Sequence, residues 1–146
     1  MNNILGIDLA TKNCGLCFWD LGSGQHGFST IGLKDLEPAT VIKFTESFCK
    51  IVEGMNIVVD FNLATECYLP GKRNHTAIKY FMAGAIQEAA LSCLFVTPKE
   101  LREFYGMTDK QPKELLQKLF VPDNLESRNE HEKDAWLLAN MLQELN

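Results

Sequence analysis

The sequence predicts an α/β domain built on a mixed five-stranded sheet, its first three strands antiparallel, with helices flanking it. Three observations predict it. Two apolar runs, Ile4–Asp8 and Cys14–Asp20, are separated by a short turn of small and polar residues, as in a pair of antiparallel strands. Further on, stretches with apolar residues at helical spacing alternate with short strand-like runs. The chain then ends on consecutive helical segments. With 146 residues, 46% of them hydrophobic, the chain reads as one domain spanning 1–146 with a substantial core.

Taken in order, Gly22-Ser23-Gly24-Gln25 is a turn and His26 to Ile31 a third strand. Leu36 to Val52 carries Val41, Phe44, Phe48 and Val52 at helical spacing, and Gly54 ends that helix. Ile57 to Tyr68 reads as an approach and a strand that ends at Glu66 or just beyond. Pro70 to His75 is a polar, basic loop. Thr76 to Leu91 is a helix with Ala83, Gly84 and Ala85 at its middle, small enough for close approach either of its own sheet or of another subunit. Cys93 to Val96 is a short buried strand. Thr97, Pro98 and Glu100 supply the cap, first-turn proline and capping-box acid of the next helix. Pro112 opens a helix through Phe120, and Glu130 to Leu145 closes the chain with Ala135, Leu138, Ala139 and Leu142 inward.

Composition excludes several classes. No apolar run approaches membrane-spanning length and no signal-peptide pattern opens the chain, so a cytoplasmic, non-membrane protein is expected. Five cysteines, odd in number and mostly in apolar segments, read as reduced buried thiols. Cys14 and Cys17 form a C-x-x-C, but strand residues three apart face opposite ways and no second ligand pair follows, so zinc is not expected there. The net charge is −5, unevenly spread: Pro70 to Phe120 holds eight Lys/Arg against five acids, a basic middle between acidic ends. That distribution suits phosphate contact in the middle and cation binding at the ends, though a solvated surface would look the same.

Asp8 is the central candidate. A carboxylate inside an apolar strand costs several kcal/mol unless a cation, donors or a metal compensate it. Glu66 and Asp134 are likewise set against apolar segments, and three such acids in one place require divalent metal to stay ionised. On the last helix Glu130 and Asp134 are four apart and His131 and Asp134 three apart, so they share a face. Glu130 and Glu132 are accounted for by the helix dipole; Asp134 continues into the core-facing stretch and reads as a site residue.

Gly6-Ile7-Asp8, Glu66 and His131-x-x-Asp134-Ala135 together resemble the active-site blocks of the RuvC-like Holliday junction resolvases, within the RNase H-like superfamily. The resemblance runs nearly end to end and takes in Gly71-Lys72-Arg73-Asn74, Phe95-Val96 before Pro98, and Lys113. The Asp8-Leu9-Ala10-Thr11 turn is closer to viral and phage members than to the bacterial Asp-Pro-Gly. The resemblance implies a metal-dependent endodeoxyribonuclease that resolves four-way junctions by paired symmetric nicks, working as a homodimer with two Mg²⁺ per site, Mn²⁺ substituting. It assigns Asp8, Glu66, His131 and Asp134 as catalytic and metal-binding residues. It assigns DNA contact to Lys12, Tyr68, Lys72, Arg73, Asn74, Lys110 and Lys113.

Other readings remain. A sibling nuclease of the same fold would cut other branched DNA or RNA–DNA hybrids, and a non-catalytic module would only bind nucleic acid. The Gly-Ile-Asp-Leu-x-Thr-x-Asn run also resembles the first phosphate loop of actin-like ATPases, but those need two such domains and a later nucleotide loop that this chain lacks.

Overall fold

Residues 3–61, 73–108 and 110–145 are described in the computed structural model, Arg73 and Asn74 by their backbone alone. The strands are β1 (Asn3–Asp8), β2 (Cys14–Asp20), β3 (Gln25–Ile31), β4 (Asn56–Asp60) and β5 (Ser92–Val96). The helices are α1 (Pro38–Val52), α2 (Arg73–Ala89), α3 (Pro98–Phe104), α4 (Lys113–Phe120) and α5 (Glu130–Leu145). The sheet runs in the order β3-β2-β1-β4-β5. Its first three strands are antiparallel, and β4 and β5 join parallel to β1 through helical crossovers. This is the mixed five-stranded sheet the sequence predicts.

Strand alternation sorts the core. Ile4, Cys17, Val58 and Val96 face α5, while Leu5, Ile7, Cys14, Leu16, Ile57 and Val59 face α1 and α2. Cys14 and Cys17 therefore lie on opposite faces, each thiol pushed up to about 12 by burial. The C-x-x-C is structural. Two glycines let α5 lie directly on the sheet: a β-carbon at Gly6 would overlap the Ala135 carbonyl, and one at Gly15 the His131 carbonyl. Asn129 caps α5, its side-chain oxygen accepting from the Glu132 backbone N–H at 2.9 Å.

Three boundaries differ from expectation. Helix α1 starts at Pro38 because proline takes its first position, with Glu37 as the extended cap. Strand β4 ends at Asp60, where its pairing to both neighbours stops, and the expected closing residue Glu66 lies outside the described residues. Helix α2 begins at Arg73, so Arg73, Asn74 and His75 sit in its first turn and not in a loop. The Thr97–Glu100 capping box of α3 forms as the sequence requires. Among the described residues no helix is long and apolar enough to cross a membrane.

Candidate active site

β1 and β4 end side by side. Asp8 and Asp60 are register partners across the parallel pair, and Gly15 opposes Asp8 on β2. All three share the parity of Ile4, Gly6 and Val58, so their side-chain positions face α5. Because Gly15 offers no β-carbon, the first turns of α5 come down beside Asp8. His131 Nδ1 then lies 3.3 Å from Asp8 Oδ2, and His131 Nε2 lies 3.5 Å from Glu130 Oε1. One turn on, Asp134 enters the same space, and its side chain is 7% exposed.

Helix α4 supplies the compensating groups. Lys113 Nζ is 2.8 Å from Asp134 Oδ2 and 3.5 Å from Asp60 Oδ2. Gln117, one turn later on the same face, donates from Nε2 to Asp134 Oδ1 at 2.6 Å and to the Glu130 carbonyl at 3.0 Å. The cleft they enclose has a volume of about 390 Å³. It is lined by Asp8, Asp60, Lys79, Lys113, His131 and Asp134, with Leu9 and Ala10 beside them.

Electrostatics follow from this crowding. Burial, with Asp134 and Asp60 nearby, pushes Asp8 up to about 6, against the opposing pull of Lys113 and the His131 hydrogen bond. Burial likewise raises Asp60, with Lys113 pulling the other way. For Lys113 burial works against the charge, yet Asp134, Asp8 and Asp60 together hold its pKa above the ordinary lysine range. Three carboxylates around one ammonium leave an excess of negative charge, and their hard oxygen donors suit Mg²⁺ or Mn²⁺. As the side chains stand, no three His, Cys, Asp or Glu groups among the described residues converge tightly enough to ligate one ion. Asp60 and Asp134 converge on the lysine instead.

Of the residues predicted for the site, the structure brings together Asp8, His131, Asp134 and Lys113. Lys12 and Lys110 are exposed on the turns before β2 and α4. Glu66, Tyr68 and Lys72 lie outside the described residues, as do the side chains of Arg73 and Asn74. The strand-end carboxylate in register beside Asp8 is Asp60. Sequence reasoning missed it by extending the strand, although Ile57-Val58-Val59-Asp60 repeats the pattern of Ile4 to Asp8, an apolar run closed by an acid. Gln117 and Lys79 were missed too. Gln117 had a usable signal, since it stands four residues after Lys113 on a predicted helix. Glu132 turns away from the cleft, accepting from Thr30 Oγ1 at 2.9 Å.

No family model and no curated protein sequence matches the chain. Among solved structures, RuvC of Thermus thermophilus in complex with Holliday junction substrate is similar to it with a TM-score of 0.67 at 15% identity, over 97% of this chain and 92% of that one. A second T. thermophilus RuvC structure gives 0.64 at 14% identity, over 95% and 92%. The fowlpox virus Holliday junction resolvase gives 0.50 at 12% identity, over 98% of each chain. The chain thus has the RuvC-like, RNase H-like fold that its motifs resemble.

Proposed function

We propose that this chain is a metal-dependent, structure-selective endodeoxyribonuclease that resolves four-way DNA junctions by paired symmetric nicks. The observation that carries the proposal is the in-register pair Asp8 and Asp60, facing Asp134 across one cleft on a RuvC-like fold. Structural likeness to resolvases, one of them bound to a Holliday junction, supports the substrate.

Asp8, Asp60 and Asp134 are the residues that would hold Mg²⁺ or Mn²⁺, with His131 as a fourth donor or a proton carrier. When bound, the metal pair supplies a water nucleophile and neutralises charge at the attacking and leaving oxygens. The chain's own groups do the rest. Asp8 accepts the His131 hydrogen bond and so orients that ring toward the cleft, where an imidazole can take the proton of the attacking water. Attack at phosphorus forms a new P–O bond and expels the 3′-oxygen. Lys113 and Lys79 offer positive charge to the scissile phosphate. Lys12 and Lys110, with Tyr68, Lys72, Arg73 and Asn74, are proposed to contact the flanking DNA. Symmetric nicking requires two sites in fixed relation, hence a homodimer.

The test is incubation of purified protein with a synthetic four-way junction, a flap and an RNA–DNA hybrid, in Mg²⁺ and in chelator. Paired, metal-dependent nicks on the junction are expected. Cleavage confined to the flap or hybrid would favour a sibling nuclease. Binding without cleavage in any metal would leave a non-catalytic module.

A further inference from the structure

The ammonium of Lys113 stands where opposite charge is needed most. It is within ion-pairing distance of both Asp60 and Asp134, whose side chains are 10% and 7% exposed, while its own side chain is 36% exposed. Asp134 is held at both oxygens by one face of α4, Oδ1 by Gln117 and Oδ2 by Lys113. The two partners are not equivalent. Gln117 is pinned a second time by the Glu130 carbonyl, whereas Lys113 is a point charge on a flexible four-carbon stem with a route to solvent.

We infer that Lys113 is a built-in counter-cation that holds Asp60 and Asp134 in the metal-free protein and is exchanged for a divalent ion when the site is loaded. This deepens the metal-dependent reading and rests on it. The physical reason is charge. A buried pair of carboxylates with no cation is strongly unfavourable, so some cation must stay until another arrives. Lysine, which holds Asp134 Oδ2, and metal would then compete for the same carboxylates, while Gln117 on Oδ1 keeps Asp134 oriented. Exchange also releases the ammonium into a cleft lined by Lys79 and His131, where a phosphate is its natural next partner. An enzyme built this way loses its internal ion pair only as metal enters, so loading and exposure of the lysine are one event.

Two measurements test it. Mn²⁺ is titrated into the wild type and Lys113→Met by calorimetry or by the loss of free-ion paramagnetic resonance signal. Removal of the competitor is expected to tighten Mn²⁺ binding by about tenfold or more. Equal or weaker binding by the variant would overturn the exchange while leaving the metal site itself standing. No Mn²⁺ binding by either protein would overturn both the exchange and the metal-dependent reading. Because the variant could fail to fold, the wild type is also labelled with an amine-acylating reagent and read by mass spectrometry. Lys113 labelling is expected to rise several-fold in Mn²⁺ over chelator, measured against exposed Lys99. Unchanged Lys113 labelling at saturating Mn²⁺ would defeat the inference without recourse to any variant.

Discussion

The two faces of the sheet are built by different means. On one, α1 and α2 pack through large side chains, with Phe48, Val52, Met82 and Ile86 filling the space over Leu5, Ile7, Ile57 and Val59. On the other, α5 comes down almost backbone to backbone, because Gly6 and Gly15 remove the β-carbons that would hold it off. Asp8, Asp60, His131, Asp134 and Lys113 gather on the second face, while Lys79 lines the same cleft from α2. A helix spaced by side chains can drift by an ångström at small cost, but one seated on glycines cannot, and a catalytic constellation needs that tolerance. Both faces bury a core, and the second also sets the geometry of the site.

The largest expected contrast comes from altering each face in turn. Asp8→Asn on the α5 face is expected to cut junction cleavage by about a thousandfold, on the order of 4 kcal/mol in barrier, with junction binding retained. Asp60→Asn should behave alike if the in-register pair acts as a unit. Phe48→Ala on the opposite face should cost about 3–5 kcal/mol of stability, yet cleavage per folded molecule should be unchanged. Gel-shift and cleavage assays beside denaturant titrations separate the two. Equal loss of binding and cutting in Asp8→Asn would count against a catalytic role for that residue.

Gly6→Ala attacks the seating of α5 directly. The new methyl would meet the Ala135 carbonyl and the Ala139 backbone nitrogen, neither of which is the end of a flexible side chain. A destabilisation of about 3 kcal/mol is expected, read as a drop in urea midpoint at constant slope. If instead the variant is as stable as the parent, the close approach of α5 does not organise this face.

How much of this was legible beforehand follows the same division. Helix α5 was readable to its boundaries, because Glu130 to Leu145 carries both a polar first turn and an unbroken apolar stripe. The hairpin of β1 and β2 and the sorting of Cys14 from Cys17 follow from strand parity alone. The end of β4 was not readable. The run Ile57-Val58-Val59 closed by Asp60 is a local sign, but where the strand stops is fixed by its pairing partners, Asp8 on one side and Val96 on the other. The functions of Gly6 and Gly15 were equally hidden, because a glycine in a strand announces close approach but not what approaches. Long-range partners decide these positions, and a single sequence carries no trace of them.

A smaller effect concerns pH in the absence of metal. Asp8 is pushed from its ordinary 3.8 up to about 6 by burial and its neighbouring acids, so the folded state holds that proton more tightly than the unfolded chain does. The native protein therefore binds more protons between those values, and stability falls as pH rises through about 4 to 6 before levelling. Asp8→Asn cannot ionise and escapes this loss. In chelator at pH 8 the variant should be the more stable by about 3 kcal/mol, with the two proteins converging below pH 4. A difference that does not change with pH would place its cause somewhere other than the Asp8 charge.

The smallest prediction returns to the first face, at the small residues of α2. Ala83 is buried against that core, whereas Gly84 is exposed and a β-carbon there would meet nothing within 4 Å among the described residues. Close packing of α2 on its own sheet thus uses Ala83, and no described residue of the subunit needs a glycine at position 84. A mid-helix glycine costs about 0.5–1 kcal/mol relative to alanine, through backbone entropy alone. Gly84→Ala should accordingly raise stability by that amount in dilute protein, read as a higher denaturation midpoint at constant slope, the reverse of Gly6→Ala on the other face. Repeating the titration at rising protein concentration sharpens the contrast. A gain that shrinks or changes sign as the chains associate would mean that a second subunit presses on Gly84 as closely as α5 presses on Gly6.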